Sequence, residues 1–261
     1  MPDYSDILYK VDDGVATVTI NREQVRNAFR LQTLEELRDA VLLSENDTSV
    51  GVIVITGAGD KAFCAGGDIN MESASGRQGA RELGQRAMAF SLAVRTSGKP
   101  VVARVNGWCI GGGNEINLIC DLSVAAESAR FGQSGPKMGS VPIWWGTQLL
   151  PRLVGDKRAK EIVFLCQQYT AAEAKEMGWI NRVVPDAQLD DAVDEWCRRM
   201  LTLSPQALRV AKHHLNMEAD RQWPSIAAGY EFISFIHGTD EFHEGAKAFL
   251  EKRPPAFDQY R

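Results

Sequence analysis

The 261-residue chain predicts an α/β fold: stacked ββα units followed by a helical C-terminal region. Two observations point there. A strand running into a glycine turn and then a helix occurs twice, the second roughly 45 residues after the first. Beyond residue 149 the apolar periodicity is helical almost throughout. Hydrophobic residues make up 44% and charged residues 24%, so the chain can bury a full core and is globular rather than disordered or fibrous.

Residues 7–11 and 15–20 read as strands, and Leu31, Leu34, Leu37, Ala40 and Val41 recur at the spacing of an amphipathic helix. A buried strand over 50–56 runs into Gly57-Ala58-Gly59-Asp60-Lys61-Ala62-Phe63-Cys64-Ala65-Gly66-Gly67-Asp68, and a helix is expected over 80–95. The same grammar returns with a strand over 100–105, the turn Asn106-Gly107, and Gly111-Gly112-Gly113 opening a short helix over 114–119, then a strand over 122–126. Helices then follow one another over 157–166, 170–177, 189–203, 205–217, 223–237 and 239–250. The expected division is 1–188 for the ββα core with the active site and 189–261 for the helical region. No low-complexity segment or Ser/Gly linker separates them.

Lys and Arg number 29 against 34 Asp and Glu, a net charge of −5, so no global basic field exists to hold nucleic acid or an anionic membrane surface. Apolar runs such as 50–55 and 162–165 fall far short of the roughly 20 residues of a membrane span. Met1-Pro2-Asp3-Tyr4-Ser5-Asp6 carries two acids and neither a basic nor an apolar leader region, so a cytoplasmic address is expected. Cysteines at 64, 109, 120, 166 and 197 form no CxxC and read as reduced core residues, with no metal site. His213, His214, His237 and His243 show no HxxxH pairing and are assigned no catalytic role.

The two glycine turns carry the chemistry. Glycine costs about 0.5–1 kcal/mol of extra backbone entropy wherever it is not required, so something must approach these backbones closely. Two such turns facing each other can hold one oxygen between two N–H donors, the arrangement that stabilises an oxyanion or enolate; tight turns without a ligand are the other reading. Gly57-x-Gly59-x-x-Ala62 formally matches a dinucleotide fingerprint, but no strand ending in an acid follows about 20 residues later. Gly132-Gln133-Ser134-Gly135 is not the G-x-S-x-G elbow of a serine hydrolase.

Longer stretches carry a resemblance. Ala62-Phe63-Cys64-Ala65-Gly66-Gly67-Asp68, Asn106-Gly107-Trp108-Cys109-Ile110-Gly111-Gly112-Gly113-Asn114-Glu115, Phe131-Gly132-Gln133, Pro151-Arg152-Leu153-Val154-Gly155 and Phe249-Leu250-Glu251-Lys252-Arg253 resemble the crotonase (enoyl-CoA hydratase/isomerase) superfamily along nearly the whole chain. The resemblance implies a ββα spiral, a helical trimerisation region giving a homotrimer or dimer of trimers, and an acyl-CoA thioester as substrate, with coenzyme A entering as part of the substrate and no separate cofactor. It places the thioester oxygen between the N–H groups of Gly67 and Gly112, and coenzyme A against Arg26, Ala65, Asp68 and Ile69, with Phe249 and Lys252 matching residues that reach the nucleotide of a neighbouring subunit.

Glu115, three residues after Gly112, matches the first of the two glutamates with which hydratases activate water. The second should stand four residues after Phe131, where this chain has Gly135, so Glu115 is expected to act alone. The run Gly132-Gln133-Ser134-Gly135-Pro136-Lys137-Met138-Gly139-Ser140 is similar to the subgroup of 1,4-dihydroxy-2-naphthoyl-CoA synthase and oxocyclohexanecarbonyl-CoA hydrolase. That subgroup has an aspartate at the position of Pro142 and usually an apolar residue at that of Glu115. The 6-oxocyclohex-1-enecarbonyl-CoA hydrolases combine a glutamate at the Glu115 position with the Gly-Gln-x-Gly-Pro-Lys run, but carry a long insertion absent here. Ser134, Gly135, Pro142, Trp144 and Trp145 are the expected acyl pocket, with core packing the alternative for the two indoles. The implied activity is water addition to a bulky or cyclic enoyl- or oxoacyl-CoA. An ordinary linear enoyl-CoA hydratase/isomerase is the nearest alternative, and a catalytically silent CoA- or RNA-binding scaffold the alternative of another class.

Overall fold

A computed structural model describes residues 3–261, the side chain of Ser75 excepted. The larger of two sheets has the order β1 (Ile7–Asp12), β2 (Val15–Ile20), β3 (Val52–Gly57), β5 (Val101–Val105), β7 (Leu122–Ala126), β10 (Arg182–Val184). The smaller has β4 (Ala62–Cys64), β6 (Trp108–Ile110), β8 (Arg130–Gly132) and β9 (Gln168–Thr170) in that order. β1 and β2 form an antiparallel hairpin turned by Asp13 and Gly14, whose φ of 45° and 81° are the left-handed pair that such a tight turn requires.

Three consecutive units each send a first strand into the large sheet and a second into the small one, then close with a helix. The units are β3–β4 with α2 (Ile69–Thr96), β5–β6 with α3 (Gly112–Ile119), and β7–β8 with α4 (Gly146–Val154). The strands within each set run parallel, β3–β5–β7 in one sheet and β4–β6–β8 in the other. The ends of β4, β6 and β8 therefore lie side by side, and the turns leaving them share one rim, where parallel sheets place ligands.

Period-two burial sets the layers. Ile53 and Ile55 of β3 face the main core with Leu34, Leu37 and Val41 of α1 (Leu31–Asn46). Val52 and Val54 face the other way, with Val102 and Val124, against Leu189, Val193 and Cys197 of α7 (Leu189–Leu201). A strand covered on both faces shows an unbroken apolar run, as residues 52–55 do.

After α5 (Asp156–Leu165), α6 (Ala171–Glu176) and α7, three helices complete the chain: α8 (Pro205–Asp220), α9 (Trp223–Ile236) and α10 (Asp240–Leu250). Lys212 fastens α8 to the core, its ammonium donating to Val94 O at 2.8 Å and Lys99 O at 3.0 Å and pairing with Asp121 at 2.7 Å. α9 lies on α2, where the Tyr230 ring occupies the space a methyl on Gly84 would need, 2.3 Å from its Cδ1. Helix α10 backs against the short turn Pro136–Met138, since a methyl on Gly245 would fall 2.4 Å from Met138 O. The last two helices thus fold over the rim of their own chain. Among the described residues, no helix is long and apolar enough to cross a membrane.

The helix expected over 80–95 begins instead at Ile69, capped by Asp68, whose carboxylate accepts the Asn70 N–H at 3.2 Å. Its first turns hold Asn70, Ser73 and Gly76, poor helix formers that conceal it in the sequence, and Gly76 breaks the helical path at φ 56°. β4, β6, β8, β9 and β10 span three residues each, too few for an alternation to register.

Candidate active site

One cavity of about 760 Å³ opens on the rim formed by β4, β6 and β8. The β4 turn is held by Phe29: its N–H donates to Gly66 O at 2.9 Å, and its carbonyl accepts from Asp68 N at 2.9 Å. Backbone alternation then turns the N–H of Gly67, between them, to the opposite side, where Gly67 lines the cavity. Gly112 is the first residue of α3, so its N–H is one of the donors left without an intrahelical partner at the positive end of the helix. The two turns touch: a Cβ on Gly66 would lie 3.4 Å from the Gly112 nitrogen. Behind them, a methyl on Gly113 would fall 2.0 Å from Cys64 O, so only glycine lets α3 sit this close to β4. Two N–H donors thus flank one point of the cavity, the geometry that holds a developing oxyanion.

Glu115 projects from the first turn of α3 with 6% of its surface exposed, and its Oε1 accepts the Gly146 N–H at 3.2 Å. Burial raises its carboxyl well above the ordinary range, the charge of Glu72 adds to the rise, and the backbone donors Gly146 and Trp144 oppose it. Raising the carboxyl in this way strengthens its hold on a proton, which suits it to accept one as a general base. Beside it lies Gln133, 1% exposed, at the exit of β8; a Cβ on Gly146 would stand 2.8 Å from Glu115 Oε1 and 3.3 Å from Gln133 Nε2. Neither amide atom of Gln133 has a hydrogen-bond partner among the described residues, and neither does the hydroxyl of Tyr230, which also lines the cavity. Burial, with the charge of Glu115, pushes the Tyr230 phenol well above its ordinary value, so it stays a neutral donor.

The residues anticipated from sequence converge here with one exception. Ser134, Gly135, Pro142 and Trp144 line the acyl end, with the Trp144 ring edge-on to Phe29 at 5.6 Å and its indole N–H on Ser91 Oγ. Trp145 does not line the cavity: it is fully buried, with the Arg95 guanidinium 4.4 Å over its ring and Trp223 edge-on at 4.9 Å. It is a core ring anchoring α4.

Ala65, Ile69 and Arg26 line the open part of the cavity, Arg26 in a left-handed conformation (φ 54°) with its guanidinium 5.7 Å over Trp108. Asp68 lines it too, but its carboxylate is engaged by Asn70 N and by Arg22 Nη2 at 2.9 Å, which suits it to holding the turn. Arg30 is drawn off by Asp6, at 2.7 and 2.8 Å, and Lys61 faces a smaller neighbouring pocket shared with Arg26. Phe249 and Lys252 line the cavity of their own chain, so 189–261 contributes to the site together with 1–188.

Tyr230, His237 and Glu72 are among the lining residues that were not anticipated. His237, 2% exposed and stacked on Phe242 at 3.9 Å, is held down to about 4 by burial and is neutral at pH 7. Glu72 reaches the cavity from α2, and burial, then the charge of Asp68, pushes its carboxyl up to about 7. Its sequence signal is positional: it stands one helical turn beyond the cap Asp68 and so on the side of the glycine turn.

Residues 10–260 match the sequence profile of enoyl-CoA hydratase/isomerase. The chain belongs to that family. Among similar solved structures is an enoyl-CoA hydratase from Mycobacterium avium subsp. paratuberculosis K-10, 28% identical, with a TM-score of 0.90 and 98% of this chain and 99% of that one covered. An enoyl-CoA hydratase from Bacillus anthracis is 32% identical (TM-score 0.78; 96% and 98% covered). A carnitinyl-CoA hydratase from Mycobacterium avium is 30% identical (TM-score 0.88; 97% and 98% covered). The enzyme therefore has the crotonase fold, and the ββα spiral with its helical C-terminal region is that fold. An acyl-CoA substrate is consistent with that family.

Proposed function

We propose that the enzyme adds water to a bulky or cyclic enoyl- or oxoacyl-CoA bearing a polar group on the acyl portion. The observation that carries this reading is the pair of buried, unpartnered polar groups beside Glu115, the Gln133 amide and the Tyr230 hydroxyl. Buried polar groups are paired with few exceptions, so an acyl oxygen reaching both would complete the site. Gly135, at the position of the second hydratase glutamate, lines the cavity without a carboxylate. The motif likeness to naphthoyl-CoA synthases and to cyclic oxoacyl-CoA hydrolases supports the same class.

In this reading Glu115 takes a proton from water as the oxygen attacks Cβ of the α,β-unsaturated thioester. The N–H groups of Gly67 and Gly112 hold the enolate oxygen. With a ring ketone, the same carboxylate directs water at the ketone carbon, and the ring carbon departs as that enolate. Arg26 and Lys252, two of the cations on the cavity lining, meet the phosphates of coenzyme A, and Ala65, Ile69 and Phe249 pack against it.

Phe164, Leu215, Phe232 and Phe235 stand exposed, and we assign them to subunit contacts of a trimer or dimer of trimers; a monomeric mass at micromolar concentration would refute that. The test of function is a mass-spectrometric screen of linear and cyclic enoyl- and oxoacyl-CoA thioesters in H₂¹⁸O. Label at Cβ reports hydration and label in a new carboxylate reports ring opening. Turnover of linear enoyl-CoA alone would remove the cyclic class in favour of an ordinary hydratase or isomerase, and binding without label or proton exchange would leave a silent scaffold.

A further inference from the structure

We propose that Glu72 is the second acid–base residue of this site, carrying the proton exchanged at Cα of the thioester while Glu115 serves Cβ. The inference rests on reading the cavity as an enoyl-thioester site and goes beyond it in assigning the partner of Glu115. Three observations carry it.

First, Glu72 folds back on the oxyanion turn: a methyl on Gly67 would fall 1.7 Å from its Oε1. A methyl on Gly112, by contrast, would meet the Phe29 ring and Gly66 Cα, with no carboxyl oxygen among its three nearest atoms. Second, Glu72 and Glu115 line the same cavity from different elements, α2 and α3, and each stands at the first turn of its helix, beside one of the two donors. Third, a charge on Glu72 raises the Glu115 carboxyl. Two carboxyls sharing a desolvated site do not ionise together, which leaves one acid and one base.

The position beside Gly67 also fixes which is which. A carboxylate ion there would repel the enolate that the hole must hold, whereas a neutral carboxyl offers an O–H. The proton ledger for hydration then closes. Glu115 takes a proton from water, the water oxygen bonds to Cβ, and the π electrons move onto the thioester oxygen between Gly67 and Gly112. The enolate re-forms the carbonyl as Cα takes the proton of Glu72. Glu115 is left protonated and Glu72 ionised, and exchange with solvent resets the pair, for a net addition of one water. Gly135 supplies no carboxylate at the usual second position, and α2 supplies one to the same cavity.

The test uses saturated probes, butyryl-CoA and cyclohexanecarbonyl-CoA, incubated with the enzyme in D₂O and read by mass spectrometry. Exchange at Cα needs the oxyanion hole and the Cα base but no water addition. Wild type should exchange, and Glu72→Gln, which keeps the side-chain volume, should lose about 10²–10⁴-fold in rate and more than Glu115→Gln loses. The wild-type exchange rate should rise with pH through the titration of a carboxyl raised by burial and by the charge of Asp68, itself paired with Arg22; Glu115, Tyr230 and His237 line the same cavity. A second reading is independent of turnover: isotope-edited infrared spectra of ¹³C-glutamate-labelled protein should show a carboxyl titrating near 7 in wild type and not in Glu72→Gln.

Exchange by Glu72→Gln at the wild-type rate, loss of exchange in Glu115→Gln alone, or a carboxyl titration left unchanged by Glu72→Gln each overturn the assignment. A wild type that hydrates an enoyl thioester without exchanging either probe also overturns Glu72 but leaves the functional reading standing. A wild type that does neither overturns both.

Discussion

Replacing Glu115 by Gln is the perturbation whose consequences the structure specifies most fully. The amide has nearly the carboxylate's volume, and its Oε1 can still accept the Gly146 N–H that Glu115 accepts at 3.2 Å, so the pocket keeps its shape. What is lost is the base. General acid–base catalysis contributes about 10²–10⁴-fold, or about 3–5 kcal/mol of barrier, and kcat should fall by that factor while thioester affinity measured by calorimetry changes little. Stability should move the other way. The folded carboxyl titrates above its ordinary value of 4.5, so the stability it contributes is complete below that pH and is lost as pH rises through the folded value. The variant should therefore melt at or above the wild-type temperature at pH 8, with the difference shrinking toward pH 4.5. More than about a tenth of wild-type kcat, or a variant less stable than wild type at pH 8, would refute the placement of Glu115 as a buried base.

Three further outcomes follow from the same geometry. Gly113→Ala sets a methyl 2.0 Å from the Cys64 carbonyl oxygen and 2.6 Å from its carbon, with backbone on both sides, and should cost ~3 kcal/mol or more in denaturant unfolding; a loss under ~1 kcal/mol would mean that α3 is free to move off β4. His237, held to about 4 against an ordinary 6.5, favours the neutral ring, so its stability contribution is complete above 6.5 and is lost as pH falls to 4; urea unfolding should show ~3 kcal/mol of acid destabilisation that His237→Gln lacks. Pro142 lines the cavity where naphthoate-type ring closure needs an acid, so succinylbenzoyl-CoA should not be converted, and appearance of the bicyclic product would reverse that.

The parts of this fold legible in sequence are those with a long enough period. Helix α1 and strands β2 and β7 stand where their apolar spacing puts them, and the two glycine turns declare themselves by the cost of glycine. The three-residue strands leave no alternation to read, yet they align the three turns, so the rim is visible only in three dimensions. Trp144 and Trp145 show the limit at one residue: they are neighbours in sequence, but the left-handed backbone at Trp145 (φ 67°) sends one ring to the cavity and the other into the core against Arg95. Glu72 was hidden because helix α2 was placed too late; once the helix starts at Ile69, the turn that carries Glu72 faces Gly67. Tyr230 and His237 come from a helix some 150 residues away from that turn, a contact that no local pattern encodes.

The central claim is that Gly67 and Gly112 polarise a thioester carbonyl beside Glu115. The direct measurement is isotope-edited infrared difference spectroscopy of a CoA thioester labelled with ¹³C at the carbonyl, free and bound to saturating wild-type enzyme. Two N–H donors on one oxygen weaken the C=O bond, so the bound carbonyl band should move to lower frequency than that of the free thioester. A band that stays at the free-thioester frequency while the ligand is fully bound would contradict the oxyanion assignment.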